Sequence, residues 1–368
     1  MRSPSIAVVL ACLAAPFFAQ DSVQGPTDKK AQKSYQRAIE CLQQHDQGCA
    51  LWYFRDADKK DQGHCLPCHE QMVKVGLARK DWKAVEDGAS ALASEVQEPK
   101  QQAVAHYYLG MALLNEGIDQ HQDDFISRAH DELAKAIPMY PRVPDMVFQD
   151  GRALAQLHRD DEAKAQFEKF IAMTPGGVFE RWRAQQFIAK PDLARANLVP
   201  DFTAFTADGQ RVNVRELAGK VVLVHFWATT CDTCPRDFPR LRAIAKKFQN
   251  QPFVMLNVSA DYQPAVWHAF LEKNDVPGLQ CMEGYNGPIA RAFGVAVHFQ
   301  SSTDHPITGP NGSVSGMWTY SYGMKQDLPK TFTIDSDGVF ESEKLSDSLD
   351  SKLEELLSRV QAQHEPNK

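Results

Sequence analysis

Two cysteines, Cys231 and Cys234, stand three positions apart shortly after an apolar run at 221–224. This order predicts a buried strand, a tight turn and the start of a helix that carries both thiols. The unpaired N–H groups and the positive dipole at a helix start stabilise a thiolate, so a cysteine placed there becomes a nucleophile near neutral pH. The segment therefore predicts thiol–disulfide chemistry.

A second pair, Cys65 and Cys68, is followed directly by His69, which is the spacing of a covalent haem attachment site and would indicate a c-type cytochrome. In the helical register of this region, however, both cysteines fall in one helix at positions i and i+3. A thin two-helix layer offers little room for a haem, and Met72 lies too close to His69 to reach the opposite haem face. We therefore interpret the pair as a local disulfide or as packed thiols, and we expect no cofactor and no metal.

The first twenty residues have the pattern of a secretory signal peptide. Arg2 is followed by an apolar stretch from 6 to 18 and by a small residue, Ala19, near the expected cleavage point. We expect a signal peptide at 1–20 and an extracytoplasmic protein, either periplasmic or secreted. An uncleaved segment would instead anchor the chain in a membrane.

The rest of the composition narrows the class of partner. The net charge of −7 argues against nucleic acid, and no apolar run beyond the signal reaches the length of a membrane span. One of the eight cysteines lies in the signal, so an odd number remains in the exported chain. At least one thiol is then free or paired outside the chain. Cys41 and Cys49 could bridge two facing helices, and Cys281 is the candidate for the unpaired thiol.

Residues 28–176 have a helical pattern throughout. Small and large apolar residues recur there with the spacing of tetratricopeptide (TPR) repeats, in about four helix hairpins. The positions that fit are Ala38, Ala50, Phe54, Ala57, Ala84, Ala91, Leu109, Gly110, Ala129, Leu133, Ala136, Pro141, Gly151, Ala163, Phe167 and Pro175. Stacked hairpins share one core and form a concave face. That face either docks a peptide or protein, or the repeats are only a spacer.

Beyond a predicted linker at 177–197, residues 198–362 alternate between strands and helices. Apolar strands at 221–224 and 253–258 alternate with helices at 241–248 and 265–271, and a hairpin at 331–340 precedes a last helix at 346–361. This order predicts a thioredoxin-like sheet covered on both faces. The predicted fold class is two domains, an all-α TPR-like helical repeat followed by an α/β thioredoxin-like fold.

The second half resembles the extracytoplasmic thioredoxins of the TlpA/ResA type, within the wider peroxiredoxin-related branch. The resemblance covers about 198–360 and rests on several pieces in the right order, at 200–202, 208–209, 217–220, 226–228, 231–239, 329–332 and 334–335. It implies a thiol:disulfide oxidoreductase whose partner is a protein disulfide or dithiol. It further implies that Cys231 is the nucleophile, Cys234 the buried resolving thiol and Pro329 a cis-proline facing the pair.

Four departures from that family bear on the chemistry. Thr230 replaces the usual tryptophan before the nucleophile, which removes an apolar docking plate. Asp232 places an anion beside the nucleophile, where it opposes thiolate formation and predicts a reductant. His225 stands where the family often has Asp or Asn, and it either relays the proton of the resolving thiol or is a satisfied core histidine. The fourth departure is an insertion at about 296–326, which we interpret as a partner-recognition loop or as a surface insertion.

Two further classes of protein stay open at this point. A binding or scaffold protein would use the helical repeats, with the redox domain auxiliary. A thiol peroxidase of the same wider branch would need a threonine and an arginine around a single cysteine. Thr229 and Thr230 stand near Cys231, but the C-x-x-C spacing favours exchange over peroxide reduction.

Overall fold

The computed structural model describes residues 25–44, 46–284, 287–295, 297–300, 305–308, 314–318, 323–326 and 328–364. They form two compact units, divided between Arg195 and Ala196. The signal peptide predicted at 1–20 lies outside the described residues. No helix in the described ranges combines the length and the apolar character that crossing a membrane requires.

The described part of the first unit is helical. Its nine α-helices are α1 (Lys29–Gln43), α2 (Gln47–Lys60), α3 (Leu66–Arg79), α4 (Trp82–Glu95), α5 (Pro99–Gln120), α6 (Asp123–Met139), α7 (Pro144–Gln156), α8 (Asp160–Met173) and α9 (Phe179–Ala189). Successive helices pack against each other in chain order, so that α1 to α8 form four hairpins. The prediction of an all-α first half is confirmed, and the hairpins fall where the repeat units were placed.

Glycines let two of these hairpins close tightly. A Cβ atom on Gly110 would lie 2.7 Å from Cγ of Leu133, and one on Gly151 would lie 2.7 Å from Cε1 of Phe167. Leu133 and Phe167 are themselves buried. A large side chain of the second helix thus fills the space above the glycine of the first, which is the packing reason for the small-to-large spacing in the sequence.

The segment 177–197, predicted as a linker, is mostly helical, because α9 occupies Phe179–Ala189. The ring of Phe187 lies 6.2 Å from that of Phe148 and 5.2 Å from that of Phe167, measured between centroids. These aromatic contacts bury α9 against the preceding hairpin. The first unit therefore includes most of the segment that composition assigned to a linker.

The second unit is built on a five-stranded sheet. Its strands are β3 (Val221–Trp227), β4 (Phe253–Ser259), β5 (Leu279–Met282), β10 (Lys330–Ile334) and β11 (Phe340–Glu343), while β1 (Thr203–Phe205) and β2 (Arg211–Asn213) form a separate hairpin. The order across the sheet is β11–β10–β3–β4–β5. Strands β3, β4 and β5 are parallel, and β10 runs antiparallel to both β3 and β11. Every residue of β3 is buried, as its apolar run predicted.

Both faces of this sheet are covered. The helices are α10 (Phe238–Phe248), α11 (Pro264–Lys273), α12 (Pro288–Ala292) and α13 (Asp347–His364). Trp227 of β3 shares one core with Leu241 of α10 and Leu353 of α13. On the other side Phe226 packs against Phe293 and Phe332, which form an aromatic cluster. The predicted α/β thioredoxin-like class is confirmed.

The insertion at about 296–326 contains strands in its described parts. β6 (Val297–Gln300) pairs with β9 (Gly323–Gln326), and β7 (His305–Thr308) pairs with β8 (Val314–Trp318), both antiparallel. The sequence of the insertion is rich in Gly, Ser and Thr, which favoured a loop. These ribbons depend on pairing between strands, which composition does not indicate. Pairing of β6 with β9 brings the two ends of the insertion together.

Candidate functional site

The two cysteines of the first motif form a disulfide at the end of β3. Cys231 lies in the turn after the strand and Cys234 opens a 3-10 turn, with Cα atoms 5.5 Å apart. Cys234 is fully buried, whereas 8 % of Cys231 is exposed. The cysteine that keeps some exposed surface is therefore the one predicted as the nucleophile.

The α-helix after the cysteines begins later than the sequence predicted. α10 starts only at Phe238, and a 3-10 turn precedes it. Pro235 and Pro239 carry no N–H, so the bonds that would extend the α-helix back to the cysteines cannot form. A backbone donor still faces the nucleophilic sulfur, because the N–H of Cys234 lies 3.2 Å from Sγ of Cys231.

Thr233 is a second donor that the sequence reading missed. Its Oγ1 lies 3.5 Å from Sγ of Cys231, so the hydroxyl can stabilise a thiolate there. Its type and position in the sequence gave no signal of this contact. The negative charge of Asp232 would destabilise a thiolate on Cys231. Asp232 is exposed, however, so that solvent screens its charge.

Pro329 follows a cis peptide bond, Leu328–Pro329, so the predicted cis geometry is confirmed. It directly precedes β10, in which Lys330 pairs with Phe226 of β3. This register places Pro329 beside the carboxyl end of β3, the end from which the cysteine turn departs. Sequence and structure thus put the proline and the pair at the same edge of the sheet.

His225 lies inside β3 and is fully buried. Its Nδ1 is 3.0 Å from Oγ1 of Thr331 on β10. Its Nε2 has no hydrogen-bond partner in the part of the chain that the structure describes, and Oδ2 of Asp237 lies 3.9 Å from it. Burial lowers the pKa of His225 to about 3, so the imidazole is neutral at physiological pH.

Asp237 is a site residue that sequence reasoning did not identify. It stands three positions after Cys234, and its N–H donates to the carbonyl of Cys234 at 3.0 Å. Only 25 % of its side chain is exposed, and burial raises the pKa of its carboxyl above the usual range. The signal was the spacing itself, since residues three apart in a helical turn lie on one side. Asp237 and His225 thus bring a carboxyl and an imidazole to within 3.9 Å of each other, on the turn and the strand that flank the cysteines.

Asp261 anchors the chain that leads into the cysteines. Its carboxylate accepts the N–H of Thr229 at 3.0 Å and the hydroxyl of Thr229 at 2.6 Å, and it also accepts the hydroxyl of Ser259 at 2.5 Å. Asp261 is 4 % exposed, so these bonds are shielded from water. The hydroxyl of Thr229, which the peroxidase alternative needed beside the cysteine, is thereby directed to a carboxylate.

The second C-x-x-C, in the helical unit, also forms a disulfide, so the predicted local bridge between Cys65 and Cys68 is present. Cys65 caps α3 instead of lying inside it, and both cysteines are fully buried. His69 contacts carboxylates through both ring nitrogens, with Nε2 2.8 Å from Asp58 and Nδ1 3.2 Å from Glu95. Neither nitrogen is directed to a haem iron, and these residues do not fit a haem.

His69 makes the stability of the helical unit depend on pH. Burial lowers the pKa of His69. The hydrogen bonds and negative charges of Asp58 and Glu95 outweigh burial, so that the pKa is raised above its usual value. A raised pKa stabilises the fold fully below the unfolded pKa of about 6.5, and this contribution is lost as pH rises through the folded pKa. In urea unfolding, the stability lost on His69→Asn substitution should therefore shrink from pH 6 to pH 9. A constant difference would contradict this assignment.

The other cysteines outside the redox motif also have defined places. Cys41 on α1 bridges to Cys49 on α2, with Cα atoms 5.7 Å apart, as the facing-helix interpretation predicted. Cys281, the candidate for the unpaired thiol, is free and buried on β5. Burial, Glu283 and Asp208 raise the pKa of its thiol to about 12, so it is not a nucleophile at neutral pH.

These features converge on one end of the sheet. Parallel β3 and β4 stand beside the antiparallel β10–β11 hairpin, the C-x-x-C pair follows β3, and a cis-proline precedes β10. The fold and the site together define a thioredoxin-like domain of the thiol:disulfide oxidoreductase class.

Comparison with known proteins agrees with this class. Residues 196–342 match the model of the AhpC/TSA family. The thiol-disulfide oxidoreductase ResA of Bacillus subtilis is 27 % identical over 90 residues, which are 24 % of this chain and half of that relative. ResA of Bacillus cereus is 21 % identical over 174 residues, which are 47 % of this chain and 83 % of the relative.

Similar solved structures carry the same kind of name. The thioredoxin domain of a thiol-disulfide oxidoreductase from Bacteroides vulgatus is 18 % identical with a TM-score of 0.34, and the match covers 44 % of this chain and 97 % of that one. A thiol-disulfide oxidoreductase from Bacteroides fragilis is 19 % identical with a TM-score of 0.33, covering 44 % and 99 %.

Proposed function

We propose that the chain is an extracytoplasmic thiol:disulfide oxidoreductase that reduces a disulfide of a protein partner. One observation carries the proposal. Cys231 and Cys234 are joined after the end of β3, and Sγ of Cys231, the more exposed of the two residues, faces a backbone N–H. The names of the ResA relatives support the reaction type.

The exchange transfers two electrons from the dithiol to the partner. The Cys231 thiolate attacks one partner sulfur, the partner's S–S bond breaks, and its other sulfur leaves as a thiolate that takes a proton from solvent. Cys234 then loses its proton and attacks Sγ of Cys231. The mixed disulfide breaks, the second partner thiol is released, and Cys231–Cys234 is oxidised. A dithiol protein must reduce the pair again before the next cycle.

Asp237 and His225 move the proton of Cys234 in this proposal. Asp237 follows Cys234 by one helical turn and its pKa is raised by burial, which makes its carboxylate a better base than an exposed one. The neutral imidazole of His225 lies beside that carboxyl, with Nε2 3.9 Å from Oδ2 of Asp237, and Thr331 fixes its Nδ1. Buried proton transfer of this kind lets the resolving thiol react without direct access to water.

Pro329 is assigned to hold the partner's backbone beside the pair. A proline offers no N–H at this place, so the carbonyl of Leu328 remains the group that can accept a hydrogen bond from an incoming chain. The register of β10 against β3 keeps this carbonyl at the edge of the sheet where the cysteine turn lies.

Asp232 supports the reducing direction. Its charge destabilises the Cys231 thiolate and thereby favours the disulfide. The N–H of Cys234 and the hydroxyl of Thr233 stabilise the thiolate and thereby favour the reduced form. Because Asp232 is exposed, substitution to Asn should make the reduction potential less negative by only about 5 to 20 mV. Equilibration with glutathione or dithiothreitol buffers measures this shift. A shift to more negative potential would contradict the proposed role.

The helical hairpins are proposed to dock a partner, as TPR repeats do through a shared face. The double variant Cys231→Ser with Cys234→Ser keeps the full chain but removes exchange. If the hairpins dock the partner, this variant still binds it non-covalently with the wild-type affinity. Loss of binding in the double variant would leave the cysteines as the main contact.

Insulin reduction tests the proposed reaction directly. The reduced full-length chain should reduce insulin disulfides, Cys231→Ser should not, and Cys281→Ser should react like the wild type because its thiol is buried and unreactive. A wild-type chain that reduces neither insulin nor a small disulfide, but still captures a partner, would favour the binding-protein alternative.

A further inference from the structure

Two exposed apolar side chains of the second unit lie on the segment that follows β4. Among its described residues, the large apolar side chains that stay exposed are Phe205 at 63 %, Tyr262 at 57 % and Val266 at 47 %. Tyr262 and Val266 lie close together in sequence, between the end of β4 and the first turn of α11. Neighbouring exposed apolar groups of this kind mark contact sites more often than scattered ones do.

The sheet places this segment beside Cys231. Trp227 at the end of β3 pairs with Ser259 at the end of parallel β4, so both connections leave from the same edge. The N–H of Ala260 donates to the carbonyl of Trp227 at 2.8 Å. Asp261 then binds Thr229, two residues before Cys231. Tyr262 is the next residue after that anchor.

The ring of Tyr262 is held in place on one side. A Cβ atom on Gly284 would lie 2.9 Å from Cε1 of Tyr262, so the ring packs directly on the backbone that follows β5. Gly284 has a φ of +80°, which suits glycine there. Tyr262 nevertheless keeps 57 % of its surface exposed. A rigid aromatic surface loses little conformational entropy when it binds a partner.

We propose that Tyr262 and Val266 form an apolar docking face for the residues that flank the disulfide of a partner polypeptide. This inference rests on the proposed exchange at Cys231. Because 8 % of Cys231 is exposed, a partner half-cystine can reach Sγ only if the chain beside it lies against the surrounding surface. That surface also carries the exposed anion Asp232. The occupant is therefore an extended segment with apolar, non-acidic residues beside its cysteines.

Two synthetic peptides test this face. Each is closed by one disulfide, and both have the same length and charge, but one carries Leu and Phe beside the cysteines and the other Ser and Gln. The reduced full-length chain should reduce the apolar peptide about tenfold faster in kcat/KM, as expected for partial burial of an aromatic and a valine side chain. Tyr262→Ser with Val266→Ser should remove this preference, so that the two peptides are reduced at similar rates.

Two variants serve as controls. Trp52→Ser removes a side chain of similar exposure, 61 %, from the helical unit, and it should keep the preference. Tyr262→Phe should also keep it, because the ring remains. The docking face is wrong if the double Tyr262/Val266 variant retains the preference, or if Trp52→Ser loses it as well.

A binding measurement separates docking from exchange. The chain with both Cys231→Ser and Cys234→Ser cannot react, and calorimetry on it should give tighter binding of the apolar peptide than of the polar one. If the wild type reduces neither peptide while this difference in binding persists, the proposed function fails and the docking face stands. Equal binding of the two peptides overturns the docking face, whatever the rates are.

Discussion

Replacing Cys234 with Ser is expected to leave the protein covalently joined to its partner through Cys231. The first attack needs only Cys231, which is the less buried of the two residues and whose Sγ faces the N–H of residue 234. The second attack needs the sulfur of Cys234, which lies within disulfide reach of Cys231. A serine hydroxyl is too weak a nucleophile to break the mixed disulfide. The variant should therefore lose turnover and accumulate one adduct per chain, measured by non-reducing electrophoresis and mass spectrometry.

The adduct should meet three conditions. Dithiothreitol releases it, the additional change Cys231→Ser prevents it, and the additional change Cys281→Ser has no effect on it. The last condition follows because Cys281 is buried and its pKa is raised to about 12. An adduct on Cys65, Cys68 or Cys281 would show that another cysteine is the nucleophile. Recovery from a native extract would also identify the partner.

Much of the fold could be predicted because its signals are local. The apolar run of β3, the helical pattern of the first half and the hairpin of β10 with β11 all depend on residues close in sequence. The segment at 177–197 was misjudged for the opposite reason. Phe187 packs on Phe148 and Phe167, and those contacts bring together three separate helices. The ribbons of the insertion likewise depend on pairing between β6 and β9, which are far apart in sequence.

The site residues that belong to a sequence motif could be predicted, whereas those that join the site only through the folded structure could not. The spacing of the C-x-x-C pair and the family resemblance pointed to Cys231, Cys234 and Pro329, but their catalytic roles remain predictions. Asp237 was missed because burial, not its identity, makes its carboxyl unusual. Asp261 was missed because its contacts with Thr229 cross from β4 to β3. The late start of α10 could have been predicted from two prolines, whose missing N–H groups interrupt the helix.

Asp237→Asn is expected to slow the second step of exchange about a hundredfold, the usual effect of removing a general base. The amide has nearly the same shape as the carboxyl and cannot take the proton of Cys234. The first attack, by Cys231, should keep its rate, because it needs no proton from Cys234, the residue that Asp237 follows by one turn. Rapid mixing of the reduced chain with a disulfide substrate resolves the two steps. Equal slowing of both steps would indicate a structural effect of the substitution instead.

The pH profile separates Asp237 from its neighbours. Burial raises the pKa of Asp237, so the second step in the wild type should accelerate as pH rises through that raised value and the carboxyl loses its proton. In Asp237→Asn this rise of the rate with pH, the Asp237 limb of the profile, should be absent, and only the rise due to ionisation of the thiol should remain. His225 has a pKa of about 3 and stays neutral above pH 5, so His225→Asn should lower the rate without removing the limb. Asp232→Asn, the same substitution at an exposed carboxylate near the pair, should retain the limb. If it is lost there as well, the proton acceptor is not Asp237.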